Sequence, residues 1–187
     1  PATDLRKWSI PESASVVLSQ RALEPLYRVN DIIDGFAEIA AVDSAVHLII
    51  GNDGPLRQKL KARVEALEIG DRVTFIGRLP ESDLPGLLRA ATAYVTASEV
   101  DGSSVTLLQA MASGVPVIAS ATPGNKEWVI QDETGYLFTT GSPQELASSL
   151  RLALGAGTRS HNHDLTGQAR EVVRDRADWK RNVHLLR

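Results

Sequence analysis

Between two short apolar runs, Ala93-Tyr-Val-Thr-Ala97 and Val117-Ile-Ala-Ser120, lies the segment Asp101-Gly-Ser-Ser-Val-Thr-Leu-Leu-Gln109-Ala-Met-Ala-Ser-Gly114-Val-Pro116. Each run has the length and apolar density of a strand buried on both faces. The segment between them carries apolar residues at helical spacing. Ser103 or Ser104 is placed to cap its start, and Gly114 to stop it just past the last turn. A strand, a capped helix and a second strand in that order predict parallel pairing with a right-handed crossover. The same segment predicts a site. A helix N-terminus beside Gly102, at the end of a buried strand, offers free N–H groups to an anion. Asp101 precedes that terminus and Gln109 lies about one turn inside it. The arrangement suits a ligand with a phosphate in the middle and hydroxyl-bearing rings at either end.

The rest of the chain repeats the alternation. Strand patterns at 15–19, 46–50, 73–77 and 135–138 are separated by helical patterns at 29–41, from Pro55 through Leu67, at 82–91 and from Ser142-Pro143 onward. The predicted fold is α/β: a doubly wound, Rossmann-like, six-stranded parallel sheet in three α/β/α layers, ordered 3-2-1-4-5-6. Residues 1–154 read as this domain. The small, polar stretch 155–167 reads as a flexible connector, and 168–187 as a C-terminal helix packing on the domain through Val172, Val173, Trp179, Val183 and Leu186.

Composition narrows the function classes. A net charge of −3 without a dense basic stripe argues against nucleic acid as a partner. No run is long and apolar enough to span a membrane, and no signal-peptide pattern is visible. With no cysteine, disulfides, thiolate catalysis and sulfur-held metals drop out together, and a cytoplasmic location is expected. A dinucleotide-binding G-x-G-x-x-G and a P-loop Gly-Lys-Ser/Thr are both missing. His161-Asn-His163-Asp164 has metal-ligand types without a fixed fourth partner, so no metal site is assigned. The glycines and polar residues instead gather past the strand ends: Arg21, Gly51 to Gly54, Gly77-Arg78, and Ser98 to Ser104. In open α/β sheets ligands bind at that carboxyl edge, where the strand order reverses.

These segments, in this order, resemble the C-terminal, donor-binding domain of retaining glycosyltransferases of the GT-B fold, family four. The matching stretches are Gln20-Arg21, Val29-Asn-Asp-Ile-Ile33, Leu48-Ile-Ile-Gly51-Asn-Asp-Gly54-Pro55, Arg72-Val-Thr-Phe-Ile-Gly77, Asp101 to Pro116, and Asp132-Glu-Thr-Gly135-Tyr. The resemblance implies a nucleoside-diphosphate sugar, such as a UDP- or GDP-hexose, as donor substrate, with no further cofactor and no obligatory metal. It implies that Arg21 meets the donor diphosphate and Asp101 the donor sugar, as the catalytic pair. Gly77, Arg78 and Leu79 would hold the nucleobase, Gly102, Ser103, Ser104 and Val105 would cradle phosphate and sugar hydroxyls, and Gln109 would meet the ribose. Gly51 would wall the pocket. It implies an N-terminal acceptor-binding domain outside this chain, so that the chain alone is inactive, and it is compatible with peripheral membrane association of a parent enzyme.

The sequence departs from the family pattern in ways that bear on activity. The usual lysine after the arginine is replaced near Tyr27-Arg28, leaving Arg28 as the candidate substitute cation. Asp101 stands where a glutamate is usual and reaches about 1.5 Å less far. Gln109, at the second glutamate position, is neutral, and a neutral hydrogen bond is worth roughly half of one to an ionised group. Each residue also has a plainer reading. Asp101 reads as a helix-start charge, Gln109 as an exposed helical residue, Arg21 as a surface partner of Glu24, and Arg28 as a surface charge. Trp128 and Trp179 read as packing anchors. The function expected is sugar transfer from a nucleotide donor; the alternative is a non-catalytic nucleotide-sugar-binding or assembly module.

Overall fold

A computed structural model describes residues 3–177. Its strands are β1 (Ser15–Gln20), β2 (Val46–Gly51), β3 (Val73–Gly77), β4 (Ala93–Thr96), β5 (Val117–Ser120) and β6 (Tyr136–Phe138). They form one sheet in the order β3-β2-β1-β4-β5-β6, and every pairing is parallel. The strand patterns therefore yield the expected doubly wound sheet, with its reversal between β1 and β4.

Alternation along each strand sorts the core into two layers. Val17, Val95 and Ile118 face α1 (Val29–Ala40), α2 (Arg57–Ala66) and α6 (Pro143–Leu154), where Phe36, Leu60 and Leu146 are buried. Val16, Leu18 and Tyr94 face α3 (Leu84–Ala90), α4 (Val105–Ser113) and α7 (Arg159–Arg176), where Leu87, Leu107 and Met111 are buried. A short helix, α5 (Pro123–Lys126), follows β5. Full burial of a Leu, Ile or Phe side chain contributes about 1.5–3 kcal/mol, so two filled layers fix which way every strand end points.

Two expectations meet differences. The helix expected from Pro55 starts at Arg57, because Leu56 N–H donates to the Leu23 carbonyl at 2.9 Å and holds the preceding turn against the chain after β1. The stretch 155–167, read as a flexible connector, is instead a 3-10 turn at Ala156–Thr158 followed by the first half of α7. Its polar residues close the end of α6. Asn162 Nδ2 donates to the Leu152 and Ala153 carbonyls, and Asn162 Oδ1 accepts from the Tyr136 hydroxyl at 2.7 Å. Those carbonyls have no partner within α6, so a polar sequence here marks helix termination rather than a linker. Trp179, Val183 and Leu186, expected to anchor the last helix, lie outside the described residues. Among the described residues, no helix is long and apolar enough to cross a membrane.

Candidate functional site

Helix α4 begins where the sequence places its cap. Ser104 has extended backbone angles, and its Oγ accepts from Leu107 N–H at 3.4 Å. The helix closes at Gly114, whose φ of 74° is left-handed. That angle favours glycine over any side chain, and the Arg170 guanidinium lies in the space a Cβ would take.

The loop from β4 to α4 and the residue after β1 meet at the reversal point of the sheet. Arg21 Nη2 lies 2.8 Å from Asp101 Oδ2, and the two side chains are only 11% and 13% exposed. Arg21 Nη1 donates to Ser104 Oγ at 2.6 Å, and its guanidinium stacks 4.3 Å from the Tyr27 ring. Arg21 is therefore clamped between a carboxylate, an N-cap hydroxyl and an aromatic face, and it does not pair with Glu24. Asp101 also accepts from Ser98 Oγ at 3.2 Å. Behind it, Ser120 Oγ donates to the Ser98 carbonyl and Asn125 Nδ2 to the Ser120 carbonyl, so a buried polar chain fixes the loop from below. Tyr94 lies wholly buried next to this pair, and its hydroxyl has no hydrogen-bond partner among the described residues. Burial pushes that hydroxyl's ionisation far up, with Arg21 acting to lower it and Asp101 to raise it.

The loop rests on α5. A Cβ on Gly124 would lie 2.1 Å from the Asp101 carbonyl oxygen and 2.7 Å from that of Gly102, distances no side chain permits. The Trp128 indole N–H reaches Ser103 Oγ at 3.1 Å.

The remaining candidates occupy the same edge at varying remove. Gly51 ends β2 opposite Gln20, and Gly77 ends β3 with its carbonyl accepting from Asn52 N–H at 2.6 Å. Arg78 is exposed, and Leu79 packs half-buried against the α4 layer. Gly102, Ser103 and Val105 are exposed around the α4 N-terminus, and Gln109 is half-buried further along that helix. Arg28 is otherwise engaged. Its Nε donates to Asp31 at 2.6 Å and its Nη1 to Glu99 at 2.6 Å, and these acids, Asp31 foremost, hold it more firmly charged than an isolated arginine. It braces the first turn of α1 against the β4 loop rather than joining Arg21.

Beyond Ser98, several members were not singled out from sequence as parts of the site. Ser120, in β5, and Asn125, in α5, are buried polar residues among apolar ones, a pattern that signals satisfied buried networks. Trp128 was readable only as packing, although a buried indole N–H usually finds an acceptor.

Comparison with known proteins bears on what this edge is. The family described as "Glycosyl transferases group 1" matches residues 2–172. An alpha-monoglucosyldiacylglycerol synthase of Streptococcus pneumoniae is 27% identical over 178 residues, covering 95% of this chain and 40% of that protein. The chain thus spans well under half the length of that relative. The crystal structure of Anabaena Alr3699/HepE with UDP and glucose superposes with a TM-score of 0.88 at 22% identity, covering 97% of this chain and 49% of the other. The C-terminal domain of a glycosyl transferase group 1 family protein (LpcC) from Francisella tularensis superposes with a TM-score of 0.81 at 19% identity, covering 95% and 94%. The sheet is that of GT-B glycosyltransferase domains.

Proposed function

This chain belongs to the glycosyl transferases group 1 family, and on that footing we propose that it is the donor half of a GT-B glycosyltransferase, binding a nucleoside-diphosphate sugar at the carboxyl edge of β1 and β4. The observation that carries the reading is the placement of Arg21 on the N-cap hydroxyl of α4, at the reversal point of the sheet. A guanidinium fork and a helix N-terminus aimed at one spot match a diphosphate in geometry and in charge. Donor complexes of structural neighbours, such as Anabaena HepE with UDP-glucose, add support.

The chemistry follows from that placement. As the glycosidic bond of the donor breaks, negative charge grows on the diphosphate leaving group. Arg21, exchanging the Asp101 carboxylate for a phosphate oxygen, and the first free amides of α4 stabilise it from positions the fold already holds. Asp101 faces the sugar side of the same spot, Gln109 the ribose, and Gly77 to Leu79 the base. Retention of configuration and a hexosyl group belong to this proposal, as does an acceptor domain supplied outside these residues.

Calorimetric titration of the chain with a panel of nucleoside diphosphates tests it. Binding of UDP or GDP, lost on Arg21→Met, is the expected result. No binding by any member of the panel overturns it. A second reading, a binding module without turnover, draws on Asp101 and Gln109 standing at the two glutamate positions. Donor hydrolysis by the full-length parent enzyme separates it from the first.

A further inference from the structure

Ser103 is exposed at the tip of the loop before α4, yet its Oγ accepts from Trp128 Nε1–H, and Trp128 is only 8% exposed. An indole N–H can only donate, and a serine hydroxyl has a single proton to give. With Trp128 donating to it, Ser103 keeps that proton for another acceptor, and the bond polarises the hydroxyl as a donor. Ser104 is arranged alike, accepting from Arg21 Nη1 and from Leu107 N–H. Ser104, with both lone pairs engaged, and Ser103, with one engaged, each keep a proton to give, which suits a ligand oxygen.

Trp128 is held from its far side. Arg176, the last residue of α7, stacks with Cζ 4.6 Å from the indole centroid and donates through Nη1 to the Glu127 carbonyl. Two turns earlier, Arg170 donates to the Ser113 carbonyl at 3.0 Å, at the other end of α4. Helix α7 thus grips α4 at its C-terminus directly and at its N-terminal loop through Trp128.

We infer that Trp128 is a positioning residue that orients the Ser103 hydroxyl toward a phosphate or sugar oxygen of the donor, and that α7 holds it in that role through Arg176. The inference rests on the donor reading above and adds a coupling to it. Because coupling between sites is reciprocal, ligand bound at Ser103 tightens the contact of Trp128 with Arg176, and occupancy is felt at the end of α7.

The test uses the whole chain, with UDP and GDP as probes, read by calorimetry and intrinsic tryptophan fluorescence. Nucleotide should shift the wild-type emission, and the shift should vanish in Trp128→Phe, which keeps the ring but not the donor. Affinity in that variant should fall roughly three- to tenfold, the value of one neutral hydrogen bond. Arg176→Ala should weaken binding less than Trp128→Phe, and Arg176→Lys should recover only part of that loss, because an ammonium cannot stack and donate as the guanidinium does. The double variant Ser103→Ala with Trp128→Phe should bind no worse than Ser103→Ala alone, because both remove the same bond. Additive losses, or an emission shift that survives in Trp128→Phe, would overturn the inference. A wild-type chain that binds neither nucleotide sinks the donor reading, and amide exchange in the free chain then decides the positioning role separately. Faster exchange at Gly102 to Ser104 in Trp128→Phe, with β5 unchanged, supports it, and equal exchange overturns it.

Discussion

The two ends of the sheet each hold a largely buried arginine, and they use it differently. At the amino end, a cleft of about 720 Å³ is lined by Pro11, Ala41, Ser44, His47 and Arg72 among others. There Arg72 Nη1 donates to the Ala40 and Asp43 carbonyls, terminating α1, and His47 Nε2 lies 2.8 Å from Thr74 Oγ1. At the carboxyl end, Arg21 binds a carboxylate and a hydroxyl. A helix-end carbonyl is a permanent partner, whereas a carboxylate oxygen is replaceable by a phosphate oxygen of the same charge. The donor reading therefore rests on the partners of Arg21 and not on the size of a cleft.

The largest effect should come from removing the arginine that matters. Arg21→Met leaves Asp101 mostly buried with only Ser98 as its partner, and loss of one member of such a pair costs about 3 kcal/mol of stability. UDP affinity should fall by more than tenfold. Arg72→Met removes the cap of α1 and should cost about 1 kcal/mol while leaving UDP affinity intact. Urea unfolding and calorimetry on both variants compare the two ends directly. Equal losses of affinity would erase the distinction.

Gly124 offers a finer probe of the carboxyl end. Gly124→Ala forces a Cβ onto the Asp101 and Gly102 carbonyls, which are backbone and cannot rotate away. Overpacking of this kind costs about 1–3 kcal/mol, and the displaced loop should carry Ser103 and Asp101 out of place. UDP affinity and stability should fall together. A variant that unfolds earlier but binds UDP as before would show that the loop is not set by α5.

How far the sequence foretells these features depends on distance along the chain. Strands and helices were legible because their signals are local: aliphatic runs at 46–50 and 117–120, Ser104 as a cap, Gly114 as a stop. The pairing of Arg21 with Asp101 was not, because a residue near at hand, Glu24, explains an arginine equally well until the sheet brings β1 and β4 together. Arg28 shows the converse. Its sequence neighbour Asp31 does claim it, together with Glu99 from the β4 loop. The connector at 155–167 misled because capping residues and linker residues share a composition, and only Asn162 meeting the end of α6 tells them apart.

The amino end carries a pH signature of its own. Burial, the largest influence on His47, holds its pKa below the ordinary histidine value. Asp71 acts to raise it, and Arg72 acts to lower it. The unfolded chain therefore takes up the proton more readily than the folded one. Stability from this group is complete above about pH 6.5 and is lost as pH falls through that value toward the folded pKa. Urea unfolding between pH 7.5 and 5.5 should show that decline, and His47→Gln should flatten it without changing UDP affinity at pH 7.5. An unchanged slope in the variant would assign the decline to other groups.

The smallest effect separates two opposing terms at Gln109. If this residue meets the ribose, Gln109→Glu replaces a neutral hydrogen bond by a charge-assisted one and gains about 1 kcal/mol. The new carboxylate also faces the diphosphate. At an effective dielectric near 20, a unit charge about 8 Å from another costs roughly 2 kcal/mol before screening. The Debye length is about 8 Å at physiological ionic strength and about 30 Å at 0.01 M, so salt removes most of that cost in an open cleft and little of it in dilute buffer. Gln109→Glu should therefore bind UDP slightly more tightly than the wild type at 0.15 M salt, and lose that advantage or reverse it at 0.01 M. Gln109 is not among the core-packing residues of α4, and urea unfolding of both proteins separates a change in affinity from a change in folding. Calorimetry of both proteins at the two ionic strengths reads the sign. Identical affinities at both would place Gln109 outside the site and move the ribose contact elsewhere on the carboxyl edge.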